Sequence, residues 1–262
     1  MISKQLKPIV DFLIAGAQKA GTTTLHSALS HHPDLYLSTP KEIHFFDNDA
    51  AFASDLPDYS FYDAHFSKAT ARQQCGEATP AYIFHAQAAH RIKAYNPGMK
   101  WLVSLRNPID RAFSHWNMER SRGKENLTFR QAIFAEKDRT RDALPLQEMR
   151  FSYTARGHYS QQLHRLYSLF PRDQILVFRF ERLAHDPEGL LAEIHRFLGI
   201  TVSLQKSIPK MHALPYVAPL SDEDHCLLID IFESELLNLE ALTGWNCDTW
   251  RRPFPRISDA LP

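Results

Sequence analysis

The stretch that most restricts this chain runs Asp11-Phe-Leu-Ile-Ala-Gly16-Ala-Gln-Lys19-Ala20-Gly21-Thr22-Thr23-Thr24-Leu25. The apolar run Phe12 to Ala15 has the length of a buried parallel strand. Gly16 and Gly21 bracket a tight loop, and Thr22 to Thr24 supply hydroxyls of the kind that open helices. Leu25, Ala28 and Leu29 then fall at helical spacing. A strand, a glycine-bracketed loop and a helix N-terminus make an anion site, because unpaired N–H groups and the positive end of the helix dipole face the loop.

The lysine decides which anion site it is. In a P-loop, Lys follows the second glycine directly and reaches the β- and γ-phosphates. Here the glycines keep that spacing, but Thr22 takes the lysine's place and Lys19 lies inside the loop. A cation there sits beside the first anionic group, near the bond to whatever that anion carries. The dinucleotide pattern G-x-G-x-x-G is absent. A plain tight turn with an exposed lysine fits the same residues.

With 262 residues the chain can bury a sizeable core. Its 30 basic and 30 acidic residues give no net charge, which argues against bulk binding to nucleic acid or anionic membrane. Cys75, Cys226 and Cys247 are far apart and in no C-x-x-C pattern, so a reducing compartment is expected and no zinc framework is offered. No signal-peptide core or apolar run of membrane-spanning length is visible, so a soluble, cytoplasmic protein is the expectation. An oligomer is not indicated.

Leu35 to Leu37 reads as a second short strand. In Lys41-Glu42-Ile43-His44-Phe45-Phe46-Asp47, the ionisable Glu42, His44 and Asp47 stand among Ile43, Phe45 and Phe46. Apolar neighbours raise a carboxylate's pKa, while Lys41 or a charged His44 opposes that shift. A carboxylate tuned this way can take a proton from a hydroxyl; a helix-capping Glu beside a surface His is the plainer alternative. Residues 49–75 read as a loop with one or two short helices, and 85–95 as a helix. Lys100 to Leu105 is a buried strand ending at Arg106-Asn107-Pro108, with Pro108 suited to the first turn of the next helix. Ligands in open α/β sheets lie beyond the carboxyl ends of strands, which puts Arg106 and Ser114 where they can hold a second anion. A structural ion pair suits Arg106 equally well. No Asp ends this strand, so a magnesium ligand of the Walker-B kind is missing.

Residues 119–156 are densely charged around one amphipathic helix, and a solvated face is the default reading; a substrate-facing flap is the other. Helices are expected from Tyr159, over 187–198 and over 222–242, with a strand at Ile175–Phe178. A proline-punctuated loop at 200–220 carries Lys210 and His212. Strands alternating with helices predict an α/β protein with a central parallel sheet flanked by helices.

In this order the Gly16–Thr24 loop, Lys41–Asp47, Gly76-Glu77-Ala78-Thr79-Pro80, Leu105-Arg106-Asn107-Pro108 with Ser114, Gly157-His158-Tyr159 and Phe180-Glu181-Arg182-Leu183 resemble the sulfotransferases that use 3′-phosphoadenosine 5′-phosphosulfate (PAPS). The likeness is closest to the heparan sulfate glucosaminyl 3-O-sulfotransferases and their bacterial relatives. It spans about residues 11–200 and is weak beyond.

The resemblance implies a P-loop-kinase-like sulfotransferase fold in one domain over residues 1–262, with PAPS as cosubstrate, adenosine 3′,5′-bisphosphate (PAP) as product and no metal. Lys19, Ala20, Gly21, Thr22, Thr23 and Thr24 would form the 5′-phosphosulfate loop, with Lys19 neutralising the leaving oxygen. Arg106 and Ser114 would hold the 3′-phosphate, with Tyr159 nearby, and Lys210 and His212 would close over the nucleotide. Glu42 matches the general base of the 3-O-sulfotransferase branch, and His44 and Asp47 its companions. Ala78 stands where those enzymes place a glycan-contacting lysine, and their C-terminal disulfide has no counterpart. The implied acceptor is therefore a hydroxyl on a sugar, glycolipid, metabolite or hydroxyacyl chain. A nucleotide kinase, which needs Lys at position 22, and a non-catalytic nucleotide-binding module are the alternatives.

Overall fold

The computed structural model describes residues 9–54, 56–202 and 219–252. Its central element is β1 (Val10–Gly16), buried along almost its whole length as the apolar run requires. Then follow α1 (Thr22–Leu29), β2 (Leu35–Leu37), a 3₁₀ turn at Asp49–Phe52, α2 (Ser60–Ala64), β3 (Gln74–Glu77), α3 (Ala88–Tyr95) and β4 (Lys100–Leu105). The helices α4 (Pro108–Ser121), α5 (Phe129–Asp142) and α6 (Tyr159–Leu169) come next. After β5 (Ile175–Arg179) the chain forms α7 (Arg182–His185), α8 (Pro187–Leu198), α9 (Asp222–Thr243) and α10 (Asp248–Arg251).

The five strands form one parallel sheet in the order β2-β3-β1-β4-β5. The chain leaves β1 toward β2 and β3 on one side and β4 and β5 on the other. The carboxyl end of β1 beside β4 is therefore the topological switch point, where such sheets bind ligands. On one face, Phe12, Ile14, Leu102 and Phe178 share an apolar cluster with Leu25 and Leu29 of α1 and Leu190, Leu191, Ile194 and Leu198 of α8. Each such leucine contributes roughly 1.5–3 kcal/mol by leaving water. On the other face Trp101 meets Phe170 edge-on at 5.2 Å.

Contacts along the chain group Met1–Arg106 with Leu163–His212, the unit that holds the sheet, and Asn107–Gln162 with Ala213–Pro262. In the second unit the Asn107 side chain caps α4 by accepting the Ile109 N–H at 3.0 Å, and Thr128 and Gln131 close a capping box on α5. The charged segment 119–156 is not simply a solvated face. Glu119, Glu125 and Glu136 are all buried. Glu125 accepts from Arg139 at 2.6 Å and from the Tyr153 hydroxyl at 2.9 Å. Glu136 accepts the Thr154 and Ala155 N–H groups at 2.7 and 2.9 Å. These partners lie up to 28 residues apart, so a local charge pattern does not reveal them.

Candidate active site

The loop after β1 has the conformation that the glycine spacing demands. Gly21 is left-handed (φ +76°), and a Cβ on it would meet Leu183 Cδ1 at 2.4 Å and the Phe180 ring at 2.9 Å, so the position accepts only glycine. Gly21 is also the N-cap of α1. No side chain among the described residues caps that helix, which leaves its first N–H groups open to an anion. Thr22 is buried, Thr24 half-buried and Thr23 exposed, while Ala20 is buried below them. The Ala17 N–H bonds the Ser104 carbonyl at 2.7 Å, tying the loop to the end of β4. Arg106, the next residue after β4, donates from Nη1 to the Lys19 carbonyl at 3.2 Å and stacks its guanidinium over the Phe180 ring at 5.1 Å.

Residues 38–48 form no helix, so Glu42 is not a helix cap. The Glu42 N–H bonds the Ala78 carbonyl at 3.1 Å. Its carboxylate pairs with the Lys41 ammonium, and His44 Nε2 lies 3.5 Å from Oε2. On the far side of the ring, His44 Nδ1 lies 2.7 Å from Asp47 Oδ2. Carboxylate, imidazole and carboxylate thus stand in line. Burial pushes the Glu42 carboxyl up, but the hydrogen bond from His44 and the charge of Lys41 outweigh it and hold the group down at about 2. The desolvation weighed from the apolar neighbours is real and loses to the charges beside it. Hydrogen bonds to Asp47 and Glu42 raise His44 to about 10, so the ring is an imidazolium at neutral pH.

Lys19 (φ 71°), Glu42 (φ 66°) and His44 (φ 55°) are the non-glycine residues with positive φ among the described residues. Each such conformation costs about 1–3 kcal/mol and persists only where the surroundings enforce it. All three are residues singled out for chemistry from the sequence.

Beneath this loop lies a group that sequence reasoning missed. Glu77, at the end of the unforeseen strand β3, is fully buried. Its carboxylate accepts from the Tyr62 hydroxyl at 2.8 Å, the Tyr82 hydroxyl at 2.9 Å, the Thr79 hydroxyl, and the Ile43 N–H at 3.3 Å. Burial raises its pKa, and these hydrogen bonds partly offset the rise. The available signal was a glutamate inside a short stretch closed by Pro80.

A family model described as a sulfotransferase domain matches residues 10–222. The chain belongs to the sulfotransferase family. It is 32% identical over 199 residues to human bifunctional heparan sulfate N-deacetylase/N-sulfotransferase 2, covering 72% of this chain and 22% of that protein. Identity to human heparan sulfate glucosamine 3-O-sulfotransferase 6 is 31% over 188 residues, covering 72% and 52%. The chain therefore spans about half or less of the length of these relatives. Among solved structures, a sulfotransferase from Alicyclobacillus acidocaldarius superposes with a TM-score of 0.78 at 30% identity, over 93% of this chain and 99% of that one. A mouse sulfotransferase solved as a PAP complex shares the fold, with a TM-score of 0.58 at 14% identity over 94% and 95% of the chains.

Of the other residues that the sequence singles out in this sulfotransferase, Ser114 and Tyr159 belong to the second unit. Ser114 is buried in the second turn of α4, and Tyr159 is buried at the start of α6. The start of α6 is anchored on α9: the Ser160 N–H and hydroxyl donate to the Glu235 carboxylate at 2.7 and 2.6 Å. A Cβ on Gly157 would meet the Phe232 ring at 2.6 Å. Lys210 and His212 lie outside the described residues. No helix among the described residues is long and apolar enough to cross a membrane.

Proposed function

We propose that this sulfotransferase moves the sulfuryl group of PAPS to an acceptor hydroxyl, with Glu42 as general base and Lys19 stabilising the leaving oxygen. The observation that carries the proposal is the left-handed backbone at Lys19, Glu42 and His44, strain placed on the residues that the chemistry needs. The glycine-lined loop and the uncapped start of α1 fit a nucleotide 5′-phosphate, and Arg106 beside that loop fits a 3′-phosphate. PAPS supplies an activated sulfuryl group whose transfer forms an acceptor O–S bond and breaks the S–O bond to the 5′-phosphate.

The chain's part is positioning and charge compensation. Lys19, inside the loop, places a cation where the bridging oxygen takes up charge. Glu42 is held ionised and is therefore a weak base. Such a base accepts the hydroxyl proton late, once the O–S bond has begun to form and the oxygen has become acidic, which suits a loose transition state. His44, charged and braced by Asp47, keeps the carboxylate oriented until then.

The test is a panel of hydroxyl, amine and phenol acceptors assayed with PAPS for PAP release, in wild type and Glu42→Gln. The proposal expects transfer to alcohols, falling by orders of magnitude in the variant while PAP affinity is kept. Amines belong in the panel because one relative is named as an N-sulfotransferase. Transfer to amines or phenols alone, or turnover unchanged in Glu42→Gln, contradicts the base assignment.

A further inference from the structure

We propose that Glu77 and Tyr82 are positioning residues for the Glu42–His44 pair, acting as a clamp on the backbone on both sides of His44. The Ile43 N–H donates to Glu77 Oε1 at 3.3 Å, and the Phe45 N–H donates to the Tyr82 hydroxyl at 3.1 Å. That hydroxyl donates onward to Glu77, 2.9 Å from Oε1 and 3.1 Å from Oε2. With the Glu42 N–H on the Ala78 carbonyl at 3.1 Å, residues 42, 43 and 45 are all pinned to the segment 77–82.

Packing alone does not call for a carboxylate here. Glu77 is fully buried and forms no ion pair among the described residues. A buried acid of this kind costs desolvation that an apolar residue of the same size would avoid. What a carboxylate adds is several acceptor sites at one point, and here they gather three hydroxyls and the N–H of Ile43. The clamp holds Glu42 and His44 at positive φ. Without it the backbone relaxes toward negative φ and carries both side chains out of line.

The experiment needs no acceptor. His44 is titrated by NMR of its ring in wild type, Tyr82→Phe and Glu77→Gln, with PAP affinity measured on each sample. His44 faces Glu42 and Asp47, with Lys41 on the far side of Glu42. The clamp predicts that wild-type His44 titrates at about 10 and that either variant falls back toward the ordinary 6.5, with PAP affinity unchanged. Glu77→Gln carries the same expectation, so the test stands if Tyr82→Phe does not fold. A wild-type titration in a folded, PAP-binding variant overturns the inference. The catalytic meaning of the clamp rests on Glu42 as base, and the two fail separately. Turnover unchanged in Glu42→Gln removes the base and leaves the titration result standing. A turnover loss in Glu42→Gln with His44 unmoved in the clamp variants removes the clamp alone.

Discussion

Arg106 donates a hydrogen bond from Nη1 to the main-chain carbonyl of Lys19 at 3.2 Å, so the residue proposed for a 3′-phosphate also tethers the left-handed loop lysine. Arg106→Ala is expected to weaken PAP binding roughly 10- to 150-fold, the loss of a charged hydrogen bond. It should also lower kcat at saturating PAPS, because Lys19 loses its tether. A loss confined to affinity, measured by titration and steady-state kinetics, would separate the two roles and remove the second.

Lys19→Met keeps the length of the side chain and removes its charge. Removing a group that stabilises developing charge costs about 10²–10³ in kcat. PAP affinity should change far less, since PAP has no sulfuryl bridge to neutralise. Comparable losses in kcat and PAP affinity would make Lys19 a binding residue instead.

The pH dependence follows from the Glu42–His44 pair. Glu42 is depressed, so its contribution to stability is present above its ordinary 4.5 and lost as pH falls through about 2. His44 is raised, so its contribution is present below 6.5 and lost as pH rises through about 10. Turnover with a hydroxyl acceptor should therefore show no titration near 4.5 or 6.5. Asp47→Asn should bring a basic limb down toward 6.5 in the pH–rate profile, because the hydrogen bond to Asp47 is the largest cause of the His44 shift.

Gly21→Ala forces a side chain into positive φ and against Leu183 and Phe180. The backbone penalty alone is about 1–2 kcal/mol, or roughly 2–8 °C in Tm for a chain of this size. Differential scanning calorimetry should show that loss together with weakened PAP binding, because the N-cap of α1 shifts.

Much of the fold was legible because its signals are local. Phe12 to Ala15, Lys100 to Leu105 and Ile175 to Phe178 are short apolar runs bounded by turn residues, and each became a strand. Pro187 to Leu198 has a Pro start and a following Gly199, and the helix has those bounds. Strand β3 was missed because Gln74-Cys75-Gly76-Glu77 carries no β-branched or aromatic residue; it forms because β1 and β2 flank it. The same non-local cause hid Glu77, whose partners lie at 43, 62, 79 and 82. For Glu42 the opposing influences were readable, but which one wins depends on the 3.5 Å between His44 and Glu42, and spacing along the chain does not give that distance.

The site proposed at the β1–β4 switch point is a nucleotide cradle for a 3′-phosphorylated, 5′-phosphosulfated donor. It is tested most directly by calorimetric titration with PAP, set against ATP with magnesium, in wild type and Arg106→Ala. PAP is expected to bind far more tightly than ATP with magnesium, and that preference to collapse in the variant. A preference for ATP with magnesium, or PAP binding indifferent to Arg106, would contradict it.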